Sequence, residues 1–450
     1  MQNNWREYTL DDLCFKITDG SHQSPKAFEG GIPMYSVKDM NDHGFNRSGA
    51  KTISEQDYAK LLAQGCQPEV NDILIAKDGS VMKHVFKVDT IEKCALLSSI
   101  AILKPKTDLV DPDFLVFSIL NPIVKNNILS NYVSGSGVPR IVLKDFKKVV
   151  VRVPNLAIQK DIAKVILNHN QKILLNKQTN QTLEQMAQAL FKSWFVDFDP
   201  VIDNALAAGN DIPEALQHKA EQRKQTQQLP DFKRLPEYIR ALFPCEFEQS
   251  NEASIGIAGW IPKGWNVGSM KQHANIEMGQ SPKGDTYNND GLGTPLVNGP
   301  VEFGEYFTKK SKWTSAPTKL SEKGDLIVCV RGSTTGRFVK SDGVYCLGRG
   351  VCSVRGIRSQ IFTDLIFKSS IDHLLGLATG STFPNWSRQI LNEFKVILPC
   401  TQIVDAFDKL LSENLKKIEL NVVESKSLNN LRGTLLPKLI SGELSVENNC

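Results

Sequence analysis

Six short loops in this sequence mix glycine, hydroxyl, basic and planar polar side chains. They are Thr18 to Lys26, Lys77 to His84, Gly135 to Arg140, Gly279 to Lys283, Arg331 to Arg337, and Gly380 to Arg388. Glycine lets backbone approach a phosphate, hydroxyls and Lys bind phosphate oxygens, and Arg, Asn, Gln or His pair with base edges. The candidate duplex-contacting residues are therefore Ser21, His22, Lys26, Lys77, Lys83, His84, Arg140, Gln280, Lys283, Arg331, Thr334, Thr335, Arg337, Arg349, Asn385 and Trp386. Any one of these loops reads equally well as a plain turn. Their recurrence in two halves of the chain gives them weight.

Signatures of catalysis are missing. Gly259 to Gly264 is followed by Trp265 where a phosphate cradle needs Lys, and Gly348-Arg349-Gly350 lacks the third glycine of a dinucleotide fingerprint. No Asn/Asp-Pro-Pro-aromatic run, H-E-x-x-H or G-x-S-x-G is present. The nine cysteines form no C-x-x-C pair, and the seven histidines are not at ligand spacing, so neither a metal site nor a disulfide framework is expected. The beginning of the sequence has no apolar leader, and no window reaches about 18 apolar residues, which predicts a cytoplasmic protein with no membrane contact.

A chain of 450 residues with 41% apolar content builds at least two cores. The formal charge is only +4, which permits a polyanion partner without demanding one. From Met1 to Val153 basic and acidic residues nearly balance, whereas Gly256 to Ile397 carries a clear basic excess.

The chain also repeats itself. Asn71-Asp72-Ile73-Leu74-Ile75 leads to Gly79-Ser80 as Gly324-Asp325-Leu326-Ile327-Val328 leads to Gly332-Ser333. Ser24-Pro25-Lys26 matches Ser281-Pro282-Lys283, Gly31-Ile32-Pro33 matches Gly293-Thr294-Pro295, and Gly135-Ser136 with Pro139 matches Gly380-Ser381 with Pro384. Each repeated module consists mostly of short runs rich in Val, Ile, Thr and aromatics between Gly, Pro, Asn and Asp, a pattern that favours strands and turns over helices. Expected strands are Asp72 to Ala76, Ser99 to Leu103, Val149 to Val153, Asp325 to Val330 and Lys395 to Leu398.

Asn155 to Asp199 and Cys400 to Arg432 contain neither Gly nor Pro, and their apolar residues recur at alternating steps of three and four, which predicts long helices. The last part of the second carries Gly433 and Pro437 where the first has Gln188 and Lys192. One seam runs Ile162, Ile166, His169, Ile173, Asn176, Asn180, Leu183, Ala187, Leu190, Trp194; its counterpart runs Phe407, Leu411, Asn414, Ile418, Asn421, Ser425, Leu428, Arg432, Leu435, Leu439. Both are polar at the same three central places. Polar seam residues fix register and orientation, so the two helices are expected to pair, antiparallel, with Asn176 near Ser425 and Asn180 near Asn421. About 33 seam residues span roughly 50 Å, longer than a turn of B-DNA at roughly 34 to 36 Å.

The fold expected is α+β: two β-rich domains in pseudo-two-fold tandem repeat, separated by two long helices in an antiparallel coiled coil. The predicted divisions are residues 1–153, a first helix at 154–199, a connector at 200–255, a second module at 256–397 and a second helix at 398–450. The polar tract Gln217 to Gln225 suggests a helical or partly mobile connector.

These features resemble the specificity subunit of type I restriction-modification systems over nearly the whole chain. The resemblance rests on the two-module, two-helix repeat and on four runs: Ile17 to His22 leading to Gly31 to Asp39, Gly279 to Pro282 leading to Pro295, Leu190 to Pro200 closing the first helix, and Gly259 to Trp265 opening the second module. It implies that each target-recognition domain reads one half of a split, asymmetric site in double-stranded DNA, and that the helices set the gap between the halves. It further implies docking of two methyltransferase subunits that use S-adenosylmethionine, which carry ATP- and Mg-dependent restriction (translocase) subunits. No cofactor would be held, and no catalysis performed, by this chain itself. Two other readings compete: a self-sufficient nuclease or methyltransferase with dispersed catalytic residues, and a coiled-coil scaffold whose β-rich domains bind proteins.

Overall fold

The computed structural model describes residues 5–135, 137–379 and 384–444. The chain divides into two compact units, Met1–Leu175 with Val423–Cys450, and Asn176–Val422, so that each long helix contributes to both.

In the first unit, strands Cys14–Asp19, Ile100–Pro105, Ile73–Ala76 and Val85–Lys87 form an antiparallel sheet in that order. Ile73 to Ala76 is fully buried because both faces of this central strand are covered. Successive side chains point to opposite faces, so Ile73 and Ile75 enter one core while Leu74 and Ala76 enter another. The second unit repeats the order with Ala274–Met278, Val351–Gly356, Leu326–Cys329 and Phe338–Lys340. Leu326 and Val328 likewise enter a different core from Ile327 and Cys329. A smaller sheet is repeated too. Ile32–Tyr35 pairs antiparallel with Lys51–Ile53 and parallel with Ala95–Leu96; Thr294–Val297 does the same with Trp313–Thr314 and Cys346–Leu347.

The modules are less purely β than the sequence pattern suggests. Directly after its last central strand each carries a pair of helices, Pro112–Leu120 and Pro122–Asn131 in the first, Gln360–Ser369 and Ile371–Gly376 in the second, and a shorter one follows in each, Leu143–Phe146 and Arg388–Glu393. Their apolar runs are too short for periodicity to separate helix from strand. The deciding signals are the caps, Asp111 and Asn121 each followed by Pro, and Ser359 accepting from the Phe362 amide.

The first long helix spans Leu156–Phe191 and continues through a wider π-helical turn, Lys192–Val196. The second spans Thr401–Ser441 and runs on through Gly433 and Pro437. Proline in a helix interior removes one hydrogen bond and crowds the carbonyl four residues back. Here that cost is offset by Leu435, Leu436, Leu439 and Ile440, which pack into the first unit's core.

Antiparallel pairing of the helices is visible within each unit. In the first, Lys172 meets Glu424 at 3.4 Å and Arg432 donates to Asn170 Oδ1 at 2.9 Å. In the second, Asn421 Nδ2 donates to Asn180 Oδ1 at 2.8 Å, and Asn176 Nδ2 to the Asn421 carbonyl at 3.4 Å. Ile162, Ile166, Asn176, Phe407, Leu411, Ile418 and Asn421 are buried. Ile173, Asn180, Leu183, Leu190, Leu428 and Leu435 are half-buried, while Arg432 is exposed.

The connector is ordered. After Phe198, held in the left-handed region at φ 60°, helices Asp199–Ala208 and Glu214–Gln227 pack through Ile202, Leu216 and Ala220. Arg223 grips Asp203 with two hydrogen bonds of 2.9 and 2.5 Å. Trp194, Phe195 and Phe198 enter the second unit's core with Trp265, Phe362 and Phe407.

Candidate nucleic-acid interface

In each module the described parts of the loops converge on one residue just past the central strand. In the first module it is Lys77: its amide donates to the Ser99 carbonyl and its carbonyl accepts from the Ile141 amide, both at 3.0 Å. In the second it is Val330, whose amide donates to the Gly350 carbonyl at 2.9 Å and whose carbonyl accepts from the Trp386 amide at 3.0 Å. The next glycine ties the second loop to the third in both modules: Gly79 donates to the Pro139 carbonyl at 2.7 Å and Gly332 to the Pro384 carbonyl at 3.2 Å. Both glycines have positive φ, 73° and 85°, which strains other residues.

The first loop is anchored where it leaves its strand. A Cβ on Gly20 would lie 2.2 Å from the Leu96 carbonyl oxygen, and one on Gly279 would lie 2.1 Å from that of Gly348. Any side chain there would force two backbones apart. The next residues donate across the same gap, Ser21 to the Leu96 carbonyl at 2.7 Å and Gln280 to that of Leu347 at 2.8 Å.

The backbone scaffold is shared, but the chemistry under it differs. Lys77 is 7% exposed and reaches Asp19 at 3.3 Å and Asp78 at 3.1 Å. Strand register puts Met278 where the first module has Asp19, and Val330, fully buried, stands where it has Lys77. The second module is held by an aromatic anchor: Trp386 is fully buried and its indole N–H donates to the Leu374 carbonyl at 2.8 Å.

Several candidates therefore face inward. Trp386 is a core residue and offers no surface to a duplex. Buried Ser21 accepts from the Gln23 amide at 3.0 Å, and Thr335 donates to the Pro384 carbonyl at 3.0 Å, so both hydroxyls hold the loops. Lys77 is consumed by its carboxylates. His84 is mostly covered and pairs with Asp42 at 2.8 Å. Thr334 and Asn385 are half-buried. Exposed are His22, Lys26, Lys83 and Arg140 in the first module, and Gln280, Lys283, Arg331, Arg337 and Arg349 in the second. His22 also touches Asp19 at 3.3 Å, and Arg140 pairs with Asp78 through backbone. Ser136 and residues 380–383, which belong to the third loops, lie outside the described residues.

A family model, the type I restriction modification DNA specificity domain, matches this chain twice, at residues 2–185 and 262–425. The chain belongs to that family. It is 25% identical to the type I restriction enzyme HindI specificity subunit of Haemophilus influenzae, covering 98% of this chain and 100% of that one. It is 21% identical to the type I restriction enzyme MjaIX specificity subunit of Methanocaldococcus jannaschii, covering 99% and 94%. The crystal structure of a type I restriction-modification S subunit from M. genitalium shares its fold with a TM-score of 0.55 at 14% identity, covering 97% of this chain and 96% of that one. In this specificity subunit, no helix among the described residues is long and apolar enough to cross a membrane.

Sequence reasoning missed the carboxylates. Asp19 and Asp78 lie within the glycine-bearing loops but are not among the candidate residues. The repeat spacing carried the missing signal: Asp78 precedes Gly79 as Arg331 precedes Gly332.

Proposed function

We propose that this specificity subunit reads a bipartite, asymmetric DNA site, one half with each module, and performs no catalysis itself. The observation that carries this reading is the loop scaffold, built twice on one strand order with the same backbone ties but different side chains. Phosphate positioning is independent of sequence while base readout is not, so a repeated scaffold bearing divergent loops suits two unlike half-sites. The long helices set the gap between the halves and dock two S-adenosylmethionine-dependent methyltransferase subunits, through which ATP- and Mg-dependent restriction subunits join. Exposed apolar side chains on the helices support docking: Leu174, Leu175 and Val423 in the first unit, Leu410 and Leu420 in the second. A DNA partner of this kind supports a cytoplasmic location.

The test is to express the chain with a methyltransferase partner and map modified sites across a genome. A single two-part motif with a fixed gap is expected. Modification without sequence preference would overturn the reading, as would methylation or cutting by the purified chain alone.

A further inference from the structure

One position in the two loop scaffolds reverses its hydrogen-bonding character. Asp78 follows Lys77 and Arg331 follows Val330, and each forms a backbone bridge to the third loop, Asp78 with Arg140 and Arg331 with Asn385. The two are equivalent in strand register, in loop position and in that bridge. A carboxylate is an acceptor only, and a guanidinium a donor only.

Asp78 is partly open, its side chain 28% exposed, with both oxygens directed to Lys77 Nζ at 3.4 and 3.1 Å. An ionised carboxylate has about four acceptor sites, so this contact leaves capacity unused. Lys77, nearly enclosed and shared with Asp19, keeps the carboxylate fixed and offsets its charge beside a polyanion. A free surface carboxylate would only repel phosphates. One fixed by a buried lysine between two loops can accept from an exocyclic amino group, which the major groove presents on cytosine and adenine. Arg331, exposed at the matching place, has the complementary donors for guanine O6 and N7.

We propose that Asp78 and Arg331 are paired specificity-determining residues. Asp78 accepts from a base amino group in the first module's half-site, and Arg331 donates to a guanine in the second's. Lys77 is a positioning residue for Asp78. The inference rests on the bipartite reading proposed above.

The experiment maps modified sites for the intact chain with its methyltransferase partner, comparing wild type with Asp78→Asn, Lys77→Met and Arg331→Gln. Asn keeps the shape of Asp but presents an amide donor. Asp78→Asn is expected to change the preferred base at one position of one half-site, by about tenfold or more in relative modification, leaving the other half-site intact. Arg331→Gln is expected to relax a guanine in the opposite half-site only. Lys77→Met is expected to weaken preference at the same base as Asp78→Asn. Motifs unchanged by Asp78→Asn and Arg331→Gln, or losses uniform across all sequences, would overturn the proposal while leaving the bipartite reading standing. A wild-type chain that yields no two-part motif would overturn that reading itself.

Discussion

At the scale of single residues, charge and aromaticity misled wherever burial was decided by distant strand crossings. Lys77 and Trp386 sit in glycine-rich loops and look like ligand contacts in sequence, yet both are enclosed and hold loops in place. Breaking a buried ion pair from one side strands its partner and costs about 3 to 5 kcal/mol. Lys77→Met removes the buried partner of Asp19, itself 10% exposed, and of Asp78, so urea unfolding should show the first unit destabilised by about 3 kcal/mol. Adding Asp19→Met makes both positions apolar, as Met278 and Val330 are in the second module, and should recover much of that loss. No recovery would show that loop shape depends on the charges themselves. The exposed cations are a separate matter. Lys283 and Arg337 have no ion pair among the described residues, which leaves them free for phosphate. Lys283→Ala should weaken DNA binding evenly across sequences and reduce the salt dependence by about one unit of slope. A change confined to one base pair would assign it to base readout instead.

At the scale of elements, strands and long helices were legible because their periods are local. Ile73 to Ala76 and Leu326 to Cys329 read as strands from composition and punctuation, and the Asn180 and Asn421 positions emerge as partners from helical spacing alone. The short module helices were not legible, since they depend on packing supplied by other elements. His273 shows how such packing creates a pH dependence. Its ring lies edge-on to Phe362, 5.3 Å between centroids, and Nε2 is 3.4 Å from the Ile397 carbonyl, between helix Gln360–Ser369 and strand Lys395–Leu398. Burial holds the imidazole below its ordinary value, outweighing the opposing hydrogen bond. The folded state therefore binds fewer protons than the unfolded state just below about pH 6.5. Stability is retained above that value and lost as pH falls from it toward the folded-state value. The urea midpoint of wild type should drop between pH 7.5 and 5.5 by more than that of His273→Gln. Equal drops would place the titrating group elsewhere.

At the scale of the whole molecule, the repeat was readable because its landmarks keep their order even where loop lengths differ. The modules have the same strand order although the spacing between matched features shifts along the chain. What the sequence withholds is the identity of the bases, because that depends on which loop atoms remain uncovered after folding. On the reading proposed above, the gap between half-sites follows helix length, and helix length can be changed without touching either module. Seven residues inserted between Leu175 and Asn176 and seven between Val422 and Val423, at the division of the two units, preserve a 3.5-residue seam and lengthen each helix by about 10 Å. That is roughly three base pairs at about 3.4 Å each. Both half-sites should remain, separated by about three more base pairs, when modified sites are mapped with the methyltransferase partner. An insertion that leaves the gap unchanged would show that the helices serve docking alone. An altered half-site would show that module and helix are coupled more tightly than the separate cores of the modules imply.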